Sequence, residues 1–372
     1  MPSVRLVDIV KRFGAITAIN RLSMEIVDRE YVCILGPTGS GKTTLLRLIA
    51  GLMAPDEGEL YIDDKPASKI SAEERGAVYV PQQYALFPHL TVLENVAFGP
   101  LAHGVNEQEA LRTAREMLEM VRLGHRADSK PDELSGGMQQ RVALARGLAT
   151  KAKLLLLDEP LGALDARLRE ELRFKLRKLA EDSGVTAIHV THDQAEAMAV
   201  SDRIAVLREG RIRQYTTPFH IYMRPQSLFV AHFVGGANFL QAVVARRHPE
   251  KSVLELRLGP RIIVRDTTHL SAEEVVVVIR EDRVNIAESA EQVDSDTYNT
   301  IEGEIQSSRF LGSFVSHQIR LASGDVLTSK TPTERLEKPL PVGKKVVAYF
   351  KPSDTMVYSY PPIGLPRELR VV

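Results

Sequence analysis

Three short apolar runs stand out along the chain: Val32–Leu35, Leu154–Leu157 and Ala187–Val190, the last carrying His189. A strand covered by helices on both faces is apolar at nearly every position, whereas a half-exposed strand alternates. These runs therefore predict the interior strands of a helix-covered sheet. From residue 3 to about 235, β-branched or leucine-rich runs alternate with longer stretches of helical spacing, the rhythm of an α/β domain on a largely parallel sheet. Between Pro218 and Asn238 the chain becomes richer in Pro, Gly and aromatic residues, and beyond it short strands are separated by turn residues. The boundary is set within 235–240, giving domains 1–237 and 238–372. In the second region, Val275–Val284 and Val346–Val357 share one layout: apolar strand, basic residue, polar turn, return to apolar. This repeat predicts an all-β domain built as one small OB-like barrel, or two. A single irregular β-domain with a coincidental similarity is the alternative.

The 372 residues, 44% of them hydrophobic, suffice for two packed cores. Lys plus Arg equals Asp plus Glu at 48 each, with none of the basic excess of a nucleic-acid binder, so any anionic ligand must be met locally. The single cysteine, Cys33, lies inside an apolar run and excludes an intramolecular disulfide. No apolar stretch approaches the ~18 residues needed to cross a bilayer. The first residues carry Arg5, Asp8, Lys11 and Arg12 where a signal peptide has its apolar core. A cytoplasmic chain is expected.

The strand ending at Leu35 runs into Gly36-Pro37-Thr38-Gly39-Ser40-Gly41-Lys42-Thr43-Thr44 and then a leucine-rich helix, the order of a P-loop. Its glycines let backbone N–H groups turn around phosphate oxygens, and the helix N-terminus adds partial positive charge. Lys42 is expected to reach the β- and γ-phosphates of ATP, and Thr43 to ligate Mg²⁺. Leu154–Leu157 delivers Asp158 and Glu159 at the carboxyl end of a buried strand, where open α/β sheets bind ligands. Asp158 is expected to orient the Mg²⁺ shell and Glu159 to polarise the attacking water; in isolation the pair could merely cap the turn at Pro160. Ser135-Gly136-Gly137 opens a second helix and is either an ordinary N-cap or a second anion-binding helix start.

In order along the chain stand the P-loop, Gln82, Leu134–Met138, Asp158-Glu159, Gly162-Ala163-Leu164-Asp165 and His192, an array that resembles the ABC ATPases. The resemblance implies two cassettes sandwiching two ATP molecules, each between the P-loop of one chain and Ser135-Gly136-Gly137 of a second ABC ATPase chain, identical or related. It assigns Gln82 to the Mg²⁺ shell and to membrane-side coupling, and Asp165 to communication across the dimer. It assigns His192 to holding the γ-phosphate and water beside Glu159. A helical subdomain over about 84–150 is expected. Phe13 matches the aromatic that stacks on adenine in this family, with a core phenylalanine as the alternative. Met138 departs from the family's usual glutamine, and His189, inside its strand, is expected to be structural.

Tyr84–Asn95 and Phe233–Leu240, together with a C-terminal β-domain, resemble importer ATPases for sugars, polyamines, iron and oxyanions, with the maltose-type subfamily nearest. That implies transmembrane permease subunits as partners, an extracytoplasmic solute-binding protein acting through them, no nucleic acid, and a peripheral position on the cytoplasmic face of the membrane. A sugar is the preferred solute. The family's Arg-Pro-Glu-Asp turn is here Arg280-Glu281-Asp282, without the proline. Two rival readings remain open: a soluble ABC ATPase acting on DNA or ribosomes, and a P-loop kinase.

Overall fold

The computed structural model describes residues 2–371 apart from 258, 266, 269 and 337. The chain divides into two compact units, residues up to 221 and 222–371. In the first, the three apolar runs are adjacent, fully buried parallel strands: Tyr31–Leu35 pairs Thr186–Val190, which pairs Leu154–Asp158. Ala77–Val80 extends the sheet on one side and Arg203–Arg208 on the other, both parallel, and Arg211–Thr216 adds an antiparallel edge. A second, antiparallel sheet runs in the order Ile16–Ile26, Val4–Phe13, Glu57–Ile62, Lys65–Pro66. Its inward residues Leu6, Ile19 and Leu60 share one core with Ile34, Leu156 and the helix Lys42–Ala50. Three further helices, Val92–Ala102, Glu107–Met120 and Gly136–Ala149, pack on one another within the stretch expected to be a helical subdomain. Thr91 and Glu94 start the first with a reciprocal capping box, and Asn106 caps the second, so each start satisfies otherwise unpaired N–H groups.

The second unit is all-β apart from short helices. One sheet runs Arg261–Val264, Ser252–Leu256, Ala237–Arg246, Glu274–Arg280, Thr355–Ser359; the other runs Asn285–Ala287, Lys345–Phe350, Asn299–Phe310, Phe314–Leu321, Val326–Pro332. Both contribute to a single core that includes Leu254, Val277, Ile279, Ile305, Ile319 and Phe350. The sequence repeat has a physical form here. Each copy is a strand, a 3₁₀ turn and a second strand, and the second strands are exchanged: Asn285–Ala287 pairs Lys345–Phe350, while Thr355–Ser359 pairs Glu274–Arg280.

Arg280, at the end of Glu274–Arg280, is buried. Its guanidinium donates to the carbonyls of Ala231, Val234 and Tyr222 and lies 4.3 Å from the centre of the Tyr222 ring. Three carbonyls at helix ends are thereby paired by one side chain.

Candidate active site

Four loops that follow parallel strands converge at the carboxyl edge of the larger sheet. The first is the P-loop. Gly36 allows backbone approach that a side chain would block, since an added Cβ would lie 2.4 Å from the Leu207 carbonyl oxygen. Gly41 caps the following helix at φ 103°, a conformation that L side chains rarely adopt. Ser40 Oγ is buried without a hydrogen-bond partner in a turn otherwise made of backbone, an orphan that suits an anion's oxygen. Lys42 is buried, and its ammonium donates to the carbonyls of Gly36 and Pro37, both at 2.9 Å, folding the side chain over the loop. Burial pushes its pKa down, and the carboxylates of Glu159 and Asp158 oppose that shift.

The second loop follows Leu154–Asp158. Asp158 is buried, and its two oxygens are used differently: Oδ1 accepts from Thr43 Oγ1 at 3.2 Å and Oδ2 from Tyr79 at 3.0 Å. Burial, with Asp158 beside it, pushes the Tyr79 phenol up to about 12, so it remains a donor at neutral pH. A hydroxyl and a carboxylate facing each other are hard oxygen donors, a set that fits Mg²⁺ completed by phosphate oxygens and water. Glu159 has a backbone φ of 50°, in the left-handed region. Such a conformation costs a non-glycine residue about 1–3 kcal/mol. It turns the chain sharply at the strand end, and the Glu159 N–H donates to Val190 O at 2.9 Å.

The other two loops meet this glutamate. Gln82, after Ala77–Val80, donates from Nε2 to Glu159 Oε2 at 2.9 Å, and His192 Nε2, after Thr186–Val190, lies 2.7 Å from Glu159 Oε1. The fold thus gathers Lys42, Thr43, Gln82, Asp158, Glu159 and His192, residues up to 150 positions apart. Phe13 is half-exposed rather than packed in a core, with Lys11 Nζ 5.8 Å from its ring centre.

Ser135 and Asp165 are held differently. Ser135 accepts from Met138 N–H at 3.4 Å as the N-cap of Gly136–Ala149, and Asp165 accepts from Leu168 N–H at 3.0 Å as the N-cap of Ala166–Ser183. Among the described residues, no hydrogen bond joins Ser135, Gly136 or Gly137 to the P-loop cluster of their own chain. An added Cβ on Gly137 would lie 3.0 Å from Ala163 O, so the helix start packs against the loop that follows Glu159.

Two residues at the site carry no signal of a role in the linear motifs. Gln140, buried, donates to Glu159 O at 2.8 Å and accepts from Ala163 N–H at 2.9 Å, tying the helix Gly136–Ala149 to the loop after Glu159. Its polar side chain on the otherwise apolar helix face is the one trace it leaves in the sequence. Tyr79 leaves none, because a tyrosine in a strand is ordinary.

Residues 19–162 match the family model described as ABC transporter, and residues 277–357 the one described as TOBE domain. A "Spermidine/putrescine import ATP-binding protein" of Rubrobacter xylanophilus is 39% identical over 92% of this chain and 90% of its own. One of Pseudomonas aeruginosa is 41% identical over 85% of each. An uncharacterized ABC transporter ATP-binding protein of Escherichia coli is 47% identical over 66% of this chain and 73% of its own. A dimeric bacterial ABC transporter cassette and a dimeric cassette in a post-hydrolysis state bound to ADP and Pi each superpose with a TM-score of 0.54 at 37% identity, covering 58% of this chain and 98% of theirs.

The maltose-type assignment is corrected by these relatives, which align across both domains and are named for spermidine and putrescine import. The assignment rested on Tyr84–Asn95 and Phe233–Leu240, segments that resemble importers of sugars, polyamines, iron and oxyanions alike and so do not separate one solute class from another. The chain uses ATP with Mg²⁺ and hydrolyses it, and no described helix is long and apolar enough to cross a membrane. With the P-loop cluster assembled, the TOBE domain matched and relatives aligned over nine-tenths of its length, the chain belongs to the family of ABC transporter ATP-binding proteins.

Proposed function

We propose that this chain is the ATP-hydrolysing subunit of an importer for polyamines, acting as a dimer beneath transmembrane permease subunits on the cytoplasmic face of the membrane. The carrying observation is the convergence of Lys42, Asp158, Glu159, Gln82 and His192 at one sheet edge, in a chain whose near-full-length relatives are spermidine/putrescine import proteins. Polyamines replace the sugar preferred from sequence. An extracytoplasmic solute-binding protein is the expected partner on the far side.

Phosphoryl transfer to water needs positioning and charge more than covalent chemistry. Gly36, Pro37, Thr38, Gly39, Ser40, Gly41 and Thr44 form the phosphate cradle with the helix N-terminus, and the half-exposed Phe13 offers a face for adenine. Lys42 exchanges its two loop carbonyls for phosphate oxygens, a gain because the ammonium is already desolvated. Thr43, Asp158 and Gln82 would hold Mg²⁺, which would supply neutralisation of charge on the phosphates. Glu159 accepts the proton of the attacking water. Its carboxylate is aimed by Gln82 on one oxygen and His192 on the other. Asp165 acts across the dimer, and Ser135, Gly136 and Gly137 complete the partner's site.

The solute class is tested by uptake. Cells lacking this chain should lose import of labelled putrescine or spermidine and regain it on complementation, with maltose uptake unchanged. Unaltered polyamine uptake together with lost sugar uptake would reverse the assignment.

A further inference from the structure

Behind His192 lies a buried polar chain that the proposed chemistry does not use. Tyr31, His189, Thr191 and Glu196 are each at most 4% exposed, in a layer whose neighbouring strands are apolar. Burying four such groups is costly unless they pair with one another. Asp193 N–H donates to Thr191 Oγ1 at 3.0 Å, so that hydroxyl must send its own proton elsewhere, and Glu196 Oε2 receives it. Glu196 N–H in turn donates to Asp193 Oδ1 at 3.0 Å. Thr191 N–H is pinned to Ile34 O at 3.3 Å, in the strand that leads into the P-loop.

Glu196 therefore holds the residues on both sides of His192, Thr191 through its carboxylate and Asp193 through its backbone N–H. In an ordinary capping box, a glutamate at this position would reach back to the N–H of the cap residue. Here Thr191 takes that N–H, and Glu196 grips the threonine instead. The opposite carboxylate oxygen, Oε1, faces His189 Nε2 at 3.7 Å, and neither atom has a hydrogen-bond partner. His189 Nδ1 lies 2.9 Å from the Tyr31 hydroxyl. If Tyr31 donates to Nδ1, Nε2 carries the proton and presents N–H to the carboxylate; the other tautomer would set a lone pair against it.

We infer that Thr191 and Glu196 are positioning residues for His192: the hydroxyl–carboxylate pair sets the turn 191–193 so that the imidazole meets Glu159, with His189, backed by Tyr31, facing the other carboxylate oxygen. This rests on the proposed role of His192. A side chain acts on a turnover step through another only when its loss costs nothing further once that other is gone.

The full chain is assayed as purified, with steady-state hydrolysis, affinity for a fluorescent ATP analogue, and melting temperature. Thr191→Val should lower kcat about 10- to 100-fold, the scale of a small misplacement of a reacting group, with nucleotide affinity changed less than about twofold. Thr191→Ser, which keeps the hydroxyl, should restore kcat to within about threefold of the unmodified chain. In a His192→Ala background, Thr191→Val should cause no further loss. Thr191→Ala is read the same way if melting shows that the valine variant does not fold.

A serine variant as slow as the valine variant would assign the effect to packing and overturn the inference. Losses that multiply in the His192→Ala background, or affinity falling in step with kcat, would do the same. Full activity of His192→Ala alone removes His192 from the reaction, and the positioning role of Thr191 and Glu196 with it. A slow His192→Ala beside a silent Thr191→Val removes that positioning role alone.

Discussion

At the scale of the residue, the most telling feature is Glu159, with a left-handed backbone and a carboxylate gripped at both oxygens. Substitution by glutamine preserves shape but exchanges one of the two acceptor oxygens for an amide donor and removes the base. Glu159→Gln should lower hydrolysis about 10²- to 10⁴-fold, the usual contribution of a general base, while leaving nucleotide affinity little changed. Sizing in the presence of ATP should then show a trapped dimer, and turnover equal to that of the unmodified chain would remove Glu159 from the chemistry. Lys42, Asp158 and Glu159 were legible in the sequence because contiguous motifs carry them. Gln140 and Tyr79 were not, because their meaning lies in partners 19 and 79 positions away.

At the scale of the element, the stretch between the two units is where packing adds most. Sequence texture divides the chain at 237/238, and the pattern of contacts at 221/222. The helix Leu228–Phe233 buries Leu228 and Ala231 against Val276, Val278 and Leu365, and its terminal carbonyls are paired by Arg280. Deleting residues 238–372 would strip that apolar face of its cover. A fragment 1–237 should therefore bind more of a hydrophobic dye and show more aggregation on sizing than a fragment 1–221, while both bind ATP through the P-loop. Equal dye binding by the two fragments would show that this helix finds its cover within the first unit.

At the scale of the whole molecule, Ser135 and its glycines cap their own helix and make no hydrogen bond to their own chain's P-loop cluster among the described residues. A site shared between two chains accounts for this arrangement, and the matched cassettes were solved as dimers. Chains carrying Lys42→Ala and chains carrying Ser135→Arg should each be nearly inactive. Mixed, they should form dimers with one doubly broken site and one intact site, so hydrolysis should exceed the mean of the separate preparations. Loss of the Ser135 cap costs about 1 kcal/mol, so melting of the arginine variant is followed in parallel. No gain at any ratio, with a specific rate that stays constant on dilution to monomers, would sink the shared site.

By itself the sequence determined the class of both domains and the phosphate chemistry. Apolar runs must be buried on both faces, and the spacing of Gly36, Gly39, Gly41, Lys42 and Thr43 between a strand and a helix lets backbone wrap an anion at a helix start. It also carried the family resemblance, though not the importer subfamily, since Tyr84–Asn95 and Phe233–Leu240 resemble importers of several solutes at once. Tertiary structure alone decided which polar groups meet: Tyr79 with Asp158, Gln140 with the Glu159 carbonyl, Thr191 with Glu196, and the strands exchanged between the two copies of the β repeat. Hydrophobic periodicity reports only which face a residue turns inward, whereas a buried hydrogen bond depends on where two distant segments come to lie side by side.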